Sequence, residues 1–292
     1  MDSKTTLFLE YKPLLFSMAY NMLGGIDAAE DIVQDAYLKW MEAGEIQHPK
    51  AFLVKMVTNT AINHLNSARI RREKYMGVWL PEPLQQPEVN DSYHALSFGL
   101  MVVLERLTPR ERAVFLLKEI FAYDYGELSE IFDITADNCR QVMKRAKTHL
   151  GKDTRRFKVD MQAHEKILQN FLRALRNGSL EQLIDLLKED IILYADSGGT
   201  AVTVGDQRLA AVLKPVTGRD KVTRLLLHTA PKFQQLLRNF RQEIVIASGL
   251  PAILTYVDEL PFSLMSIEPE GEQIRQIYIQ ANPNKLMHFK TT

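Results

Sequence analysis

The sequence predicts a multi-domain chain, two all-α modules followed by a C-terminal α+β domain. Three observations predict it. Apolar residues recur at helical spacing before and after a proline-rich stretch, GVWLPEPLQQP at residues 77–87. From about residue 160, two more helical patterns give way to short β-branched and aromatic runs separated by Gly and Pro. Charge changes sign along the chain: residues 1–65 hold five Lys and no Arg against eight acids, and residues 135–158 hold eight bases against two acids. Residues 243–272 hold six acids and no Lys or Arg. The expected domains are 1–76, a stiff linker at 77–95, 96–158 and 159–292. At 292 residues each can bury a core.

Composition narrows the function. With 46% hydrophobic and 25% charged residues, disorder and collagen are excluded. A formal net charge of zero argues against a uniformly basic coat for nucleic acid and leaves room for a local basic patch. The single cysteine, Cys139, excludes an internal disulfide framework and fits a reducing cytosol. The seven His are scattered, without HxH or HExxH spacing, so no metal site is expected. No apolar run approaches the roughly 18–20 residues of a membrane span, and the first residues lack the pattern of a signal peptide. The expectation is a cytoplasmic protein without a membrane partner.

The elements follow in order. Gly24 and Gly25 end the first helix, and Asp27, with Glu30 three residues on, is expected to cap the second. That helix carries Ile32, Val33, Ala36, Tyr37 and Trp40 on one face, and Asp31, Gln34 and Asp35 elsewhere. Pro49 suits the first position of the third helix. There Lys55, Asn59, Asn63 and Asn66 fall along one face. Amides so placed can read base edges or hold an unpaired strand, and can equally bind a neighbouring helix. Arg69, Arg71, Arg72 and Lys74 follow as a basic edge able to track phosphates.

Thr108-Pro109-Arg110-Glu111 is a capping box with Pro at the first helical position. Residues 125–150 (YGELSEIFDITADNCRQVMKRAKTHL) then read as a helix-turn-helix, with a break at Asp133–Ile134 and Thr135 as the next cap. In the second helix Cys139, Val142, Met143, Ala146 and Leu150 share an apolar face. Asp137, Asn138, Arg140, Gln141, Lys144, Arg145 and Thr148 occupy the rest. A recognition helix needs this division, an apolar back to anchor it and long donors in front. A solvated basic helix of an ordinary bundle shows it too, and the basic stretch that follows favours DNA.

Assembled, these pieces resemble a bacterial extracytoplasmic-function sigma factor. AEDIVQDAYLKW (residues 29–40) looks like the region 2 helix that docks on RNA polymerase, which implies Asp31, Gln34 and Asp35 as polymerase contacts. AFLVKMVTNTAINHL (51–65) looks like the helix that meets the melted minus-ten element. LTPRERAVF through CRQVMKRAKTHL looks like region 4, which reads the minus-thirty-five element. The chain departs from the family at Asn63 and Asn66, where an acid and an Arg are usual. WLPEP (79–83), DSGG (196–199) and NPNKL (282–286) match the subgroup with a fused C-terminal SnoaL-like domain. This resemblance implies core RNA polymerase and promoter DNA as partners and no cofactor. It also implies a regulatory contact in cis among Trp79, Leu80, Pro81, Asp196, Gly198, Gly199, Asn282, Pro283 and Lys285.

In the C-terminal domain, helices are expected at 162–176, after Ser179 and near 219–230, and strands near 191–196, 241–247, 252–258 and 273–281. The SnoaL-like cone, a curved sheet folded around a pocket, fits that order, and an unidentified small molecule in the pocket is a further candidate partner. Tyr194, Asp196, His228, Tyr256, Asp258 and Tyr278 are the polar candidates for a pocket. No spacing pairs them for acid–base work, so no catalytic residue is assigned. The competing reading is a SnoaL-type enzyme or ligand-binding protein fused to a DNA-binding half that regulates its own expression. The segment 29–40 separates the two, since a plain repressor needs no polymerase-docking helix.

Overall fold

The computed structural model describes residues 3–73, 75, 77–85, 96–151, 160–199, 202–204, 207–209, 211–236 and 239–289. At 68–73, 202–204, 207–209 and 230–236 only the backbone course is described. The chain divides into two compact units. One holds Met1–Glu73, Glu88–Leu96 and Leu100–Phe157, and the other Lys74–Pro87, Ser97–Gly99 and Lys158–Thr292.

The first unit is helical. Helix α1 (Ser3–Leu23) ends at Gly24, whose φ of +70° is open to a residue without Cβ. Helix α2 (Ile26–Glu42) starts one residue before the expected cap. Gly25 occupies the cap position without a side-chain bond, and Asp27 lies in the first turn, where a carboxylate still favours the helix N-terminus. Ile32, Val33, Ala36 and Trp40 are buried, as their spacing requires, and Trp40 Nε1 donates to the Lys4 carbonyl at 3.0 Å. Helix α3 (Pro49–Glu73) begins on its proline.

Helices α4 (Phe98–Leu104), α5 (Pro109–Glu119), α6 (Tyr125–Phe132) and α7 (Ala136–Leu150) follow. The Thr108 capping box forms: its hydroxyl accepts from Glu111 N at 3.3 Å, while its own N–H donates to Glu111 Oε2 at 3.0 Å. Asp124 and Glu127 make a second box at the start of α6. Asp133, at φ +51°, turns the chain, and the Thr135 hydroxyl accepts from Asn138 N at 3.2 Å to open α7. Cys139, Val142, Met143, Ala146 and Leu150 are all buried. Arg112 ties α5 to α1. Its side chain is 2% exposed, it donates to the Asn21 carbonyl from Nε at 3.2 Å and Nη2 at 3.0 Å, and it pairs with Glu105.

The second unit is α+β. Helices α8 (Met161–Asn177), α9 (Leu180–Leu186) and α10 (Arg219–Leu236) accompany strands β1 (Leu187–Asp196), β4 (Val216–Thr217), β5 (Phe240–Ala247), β6 (Leu250–Val257), β7 (Leu260–Glu270) and β8 (Gln273–Gln280). These six strands form one sheet in the order β4-β1-β8-β7-β6-β5, with β1 parallel to β8 and every other pair antiparallel. A separate hairpin joins β2 (Val202–Val204) to β3 (Gln207–Leu209).

Strand alternation splits the side chains between two faces. Leu193, Ile253, Ile267 and Ile277 cluster with Leu168, Phe171 and Leu183 of α8 and α9 and with Val222 and Leu226 of α10. Each large apolar side chain buried there contributes about 1.5–3 kcal/mol. Ala252, Leu254, Tyr256 and Leu264 form a second cluster on the opposite face, with Leu286 and Phe289 from the chain after β8. The rest of that face, nearer β1 and β8, receives Leu80 and Pro81 through Asp196 and Gln280.

Candidate promoter interface and linker site

The region 4 residues stand together. Asp137, Asn138, Arg140, Gln141, Lys144, Arg145 and Thr148 are all exposed on α7, opposite its buried apolar face. Arg140 Nη1 pairs with Asp137 Oδ1 at 2.5 Å, and the Arg140 guanidinium lies 5.1 Å from the Tyr125 ring centroid. Lys147 pairs with Glu119 at 2.8 Å. A shallow groove of about 410 Å³ runs between α6 and α7, floored by Tyr125 and Met143 and edged by Arg140, Lys144, Lys147 and Thr148. Tyr125 carries no charge and lies outside the basic helix, so charge counting passes over it. The basic residues Lys152, Arg155, Arg156 and Lys158 lie outside the described residues.

On α3, Asn59, Asn63 and Asn66 are exposed and Lys55 is half-buried. Lys55 Nζ donates to the Glu130 carbonyl at 3.1 Å and pairs with Asp133 Oδ1 at 2.6 Å. A cavity of about 370 Å³ separates Asn59, Ile62 and Asn66 from Thr108, Pro109, Arg110 and Phe132. The amide face of α3 thus borders α5 and α6. Lys55 thereby contacts the end of α6 and the turn that follows it. The side chains of Arg69, Arg71 and Arg72, and residue Lys74, lie outside the described residues. On α2, Asp31, Gln34 and Asp35 are exposed, and Leu38, one turn further on, is 53% exposed. Tyr37, expected inside, is half-buried, with its hydroxyl 3.3 Å from Thr5 Oγ1.

In the second unit the three quoted motifs meet at Asp196, which is 1% exposed. Asp196 accepts from Leu80 N at 2.9 Å, Lys285 Nζ at 2.7 Å, Tyr75 Oη at 2.5 Å and Gly198 N at 3.0 Å. Burial pushes its carboxyl up, and the Lys285 charge with these donors outweighs burial and holds it below the ordinary value. Burial and the Asp196 contact push the Tyr75 phenol well up. Lys285 also donates to the Leu80 carbonyl at 2.5 Å and lies 4.4 Å from the Trp79 ring centroid. Gln280 Nε2 donates to the Pro81 carbonyl at 3.1 Å, and Asn282 Nδ2 to Tyr75 Oη at 3.2 Å.

Backbone geometry sets this site. Asn282 caps the short 3-10 turn that opens with Pro283 and ends on Lys285. Gly198 has φ +72°, and a Cβ there would meet Asn282 at 3.2 Å. Gly199, at φ +74°, continues the turn. Beyond WLPEP, Glu82 pairs with His288 at 3.1 Å, and Ser248 N donates to the Leu84 carbonyl at 2.8 Å. Tyr75 and Gln280 join this site from outside the three motifs. Gln280 shares with Tyr278 the sheet face away from the helices, which the sequence alone does not assign.

The polar candidates in the C-terminal domain do not converge beneath the helices. Tyr194, Asp196 and Tyr278 lie on the sheet face away from them, and Tyr194 and Tyr278 stack at 5.4 Å. Tyr256 belongs to the second apolar cluster on that same face. His228 and Asp258 are exposed, Asp258 in the turn between β6 and β7. Among the described residues no group of His, Cys, Asp and Glu is placed to hold a metal ion, and no helix is long and apolar enough to cross a membrane.

A helical module, a second one ending in a helix-turn-helix and a fused α+β domain define a class, and known proteins agree with it. Residues 7–71 match Sigma-70 region 2, and residues 98–150 match Sigma-70, region 4. The chain belongs to the extracytoplasmic-function RNA polymerase sigma factors, which are transcription factors and not enzymes. It is 30% identical over 287 residues to the sigma factor SigJ of Mycobacterium tuberculosis, covering 93% of this chain and 89% of that one. It is 25% identical over 300 residues to the probable sigma factor SigI of the same species, covering 98% and 95%. The crystal structure of Mycobacterium tuberculosis SigJ matches with a TM-score of 0.75 at 26% identity, over 96% of this chain and 97% of that one.

Proposed function

We propose that this sigma factor docks on core RNA polymerase through Asp31, Gln34 and Asp35 of α2 and reads the minus-thirty-five duplex with α7. In this reading α3 meets the melted minus-ten element through Lys55, Asn59, Asn63 and Asn66. The observation that carries it is the division of α7, which has an entirely apolar buried back and a front of exposed donors. The C-terminal unit acts in cis by holding Trp79–Pro81 at Asp196 and Lys285, which fixes the reach of the segment between α3 and α4. The reading assigns that unit no small-molecule ligand.

Abortive transcription with core polymerase on a selected promoter tests it. Lys144→Ala should lower promoter affinity: across all sequences with a salt slope flatter by about one if it contacts phosphate, or at one base pair by roughly 1–3 kcal/mol if it reads a base. Unchanged affinity on specific and random duplex removes the assignment of α7. Trp79→Ala and Lys285→Ala should both change promoter-dependent transcription in the same direction, and identical output from all three proteins removes the regulatory role.

A further inference from the structure

We infer that Tyr125 is a positioning residue that aims Arg140 at a guanine in the promoter duplex. The inference rests on α7 being the recognition helix. Arg140 lies in the second turn of α7, in the N-terminal part of a recognition helix that meets base edges. An exposed Arg on a helix ordinarily samples many rotamers. Here two contacts from different elements confine it. Asp137, one turn earlier, takes Nη1 at 2.5 Å, and the Tyr125 ring, on α6, takes the guanidinium at 5.1 Å from its centroid. The ring is itself braced by a second cation. Lys118 Nζ lies 4.9 Å from the same centroid and donates to the Tyr123 carbonyl at 3.1 Å.

This geometry selects a ligand chemistry. A guanidinium held by one edge and leaning on an aromatic ring keeps donors on its remaining side in a fixed planar fork. Two acceptors in one plane, O6 and N7 of guanine in the major groove, match that fork, whereas adenine, cytosine and thymine each present a different pattern. The ring adds no charge, so it changes the aim of Arg140 and leaves the electrostatic attraction to phosphates as it was.

The experiment uses holoenzyme assembled from the full chain and core polymerase, with a duplex library randomised through the minus-thirty-five region. Wild type should prefer guanine at one position, and Arg140→Ala should abolish that preference. Tyr125→Leu should weaken it by about two- to five-fold, leaving other positions, binding to random duplex and the salt slope unchanged. Tyr125→Phe, which keeps the ring, should retain it. The inference is overturned if Tyr125→Leu keeps the full preference, if it lowers binding equally at every position as mere damage to α6 would, or if Tyr125→Phe loses as much as Tyr125→Leu. If Arg140→Ala alters no position, the recognition-helix assignment falls and this inference falls with it. A preference lost in Arg140→Ala but intact in Tyr125→Leu sinks the role of Tyr125 alone.

Discussion

Lys55 of α3 and Asp133, in the turn between α6 and α7, form an ion pair at 2.6 Å. The pair joins the face proposed for the minus-ten strand to the helix-turn-helix proposed to read the minus-thirty-five element. In the proposed reading, promoter binding through Lys55 has to break this contact. The side chains are 39% and 75% exposed, so the pair contributes no more than about 1 kcal/mol and is screened by salt. Asp133→Asn keeps a residue tolerant of φ +51° while removing the charge. Open-complex formation should then rise by roughly two- to five-fold at low salt and converge on wild type near 1 M salt. No rise at low salt would show that the pair does not restrain Lys55.

Arg112 makes a different kind of join. Its buried guanidinium satisfies the Asn21 carbonyl, one of those left open near the end of α1, and pairs with Glu105. Arg112→Leu removes the buried guanidinium from both acceptors, at a cost of about 3–5 kcal/mol. Thermal unfolding should show the helical unit melting well below wild type. Arg112→Lys should recover only part of the loss, because a single ammonium cannot reproduce the fork. A shift of less than about 1 kcal/mol in Arg112→Leu would mean that water replaces the guanidinium.

How much of this was legible depended on how local the signal was. The turn at Asp133, the Thr135 cap and the buried stripe of α7 are set by residues within one or two helical turns, and the sequence reading placed them correctly. Strand β7 was missed because Pro261 and Pro269 sit in it. Both lie at irregularities in its pairing, beside the register shifts at Tyr256 and Glu268, where a missing donor is tolerated. Gly25 takes the cap position in place of Asp27, because the chain leaving Gly24 enters α2 two residues earlier than a cap at Asp27 requires. Parity in the sheet was the hardest to read. Tyr194 and Tyr278 sit like pocket residues in sequence, but only the strand order and the helix positions decide which face they occupy.

Asp31 and Asp35 are solvent-facing, while Ile32 and Val33 between them are buried and hold α2 in place. Reversing both to Lys should leave the unfolding free energy within about 0.5 kcal/mol per site. Core polymerase binding, measured by titration of labelled sigma factor, should weaken by at least about ten-fold, the loss of two favourable contacts and the gain of two repulsive ones. Leu38→Ala on the same face should weaken it less. Full binding by the double reversal would place the polymerase contact on another face.

His164 of α8 is 1% exposed, with neither ring nitrogen in a hydrogen bond of normal geometry. Burial holds it below the ordinary histidine value, partly offset by the Pro251 carbonyl. The folded protein therefore binds fewer protons at this site than the unfolded chain, and stability rises with pH. The site's effect is absent well above pH ~6.5, and folding becomes less favourable below it by up to about 1.4 kcal/mol per pH unit. Chemical denaturation between pH 5 and 7.5 should show this slope, and His164→Leu should flatten it. An equal slope in His164→Leu would assign the proton uptake to another group.

Asp196 titrates with the same sign in a lower range. Its folded value lies below the ordinary one, so the contribution of the linker site is complete above pH ~4 and is lost as pH falls through the folded value. At neutral pH the same contribution can be removed by substitution. Asp196→Asn keeps the shape but leaves the 14%-exposed Lys285 ammonium without its counter-charge, at about 3–5 kcal/mol. The cost falls on the contacts at Tyr75, Leu80 and Lys285, all of which meet at Asp196, and much less on the apolar cluster beneath α8 and α10. Asp196→Asn should therefore expose the peptide bonds near Trp79–Pro81 to limited proteolysis while the strands keep their amide-exchange protection. Lys285→Met, which strips the charge from the other side, should give the same cleavage pattern. If both variants resist protease at these bonds like wild type, the segment is held by Gln280, Glu82 and Ser248 without help from the ion pair.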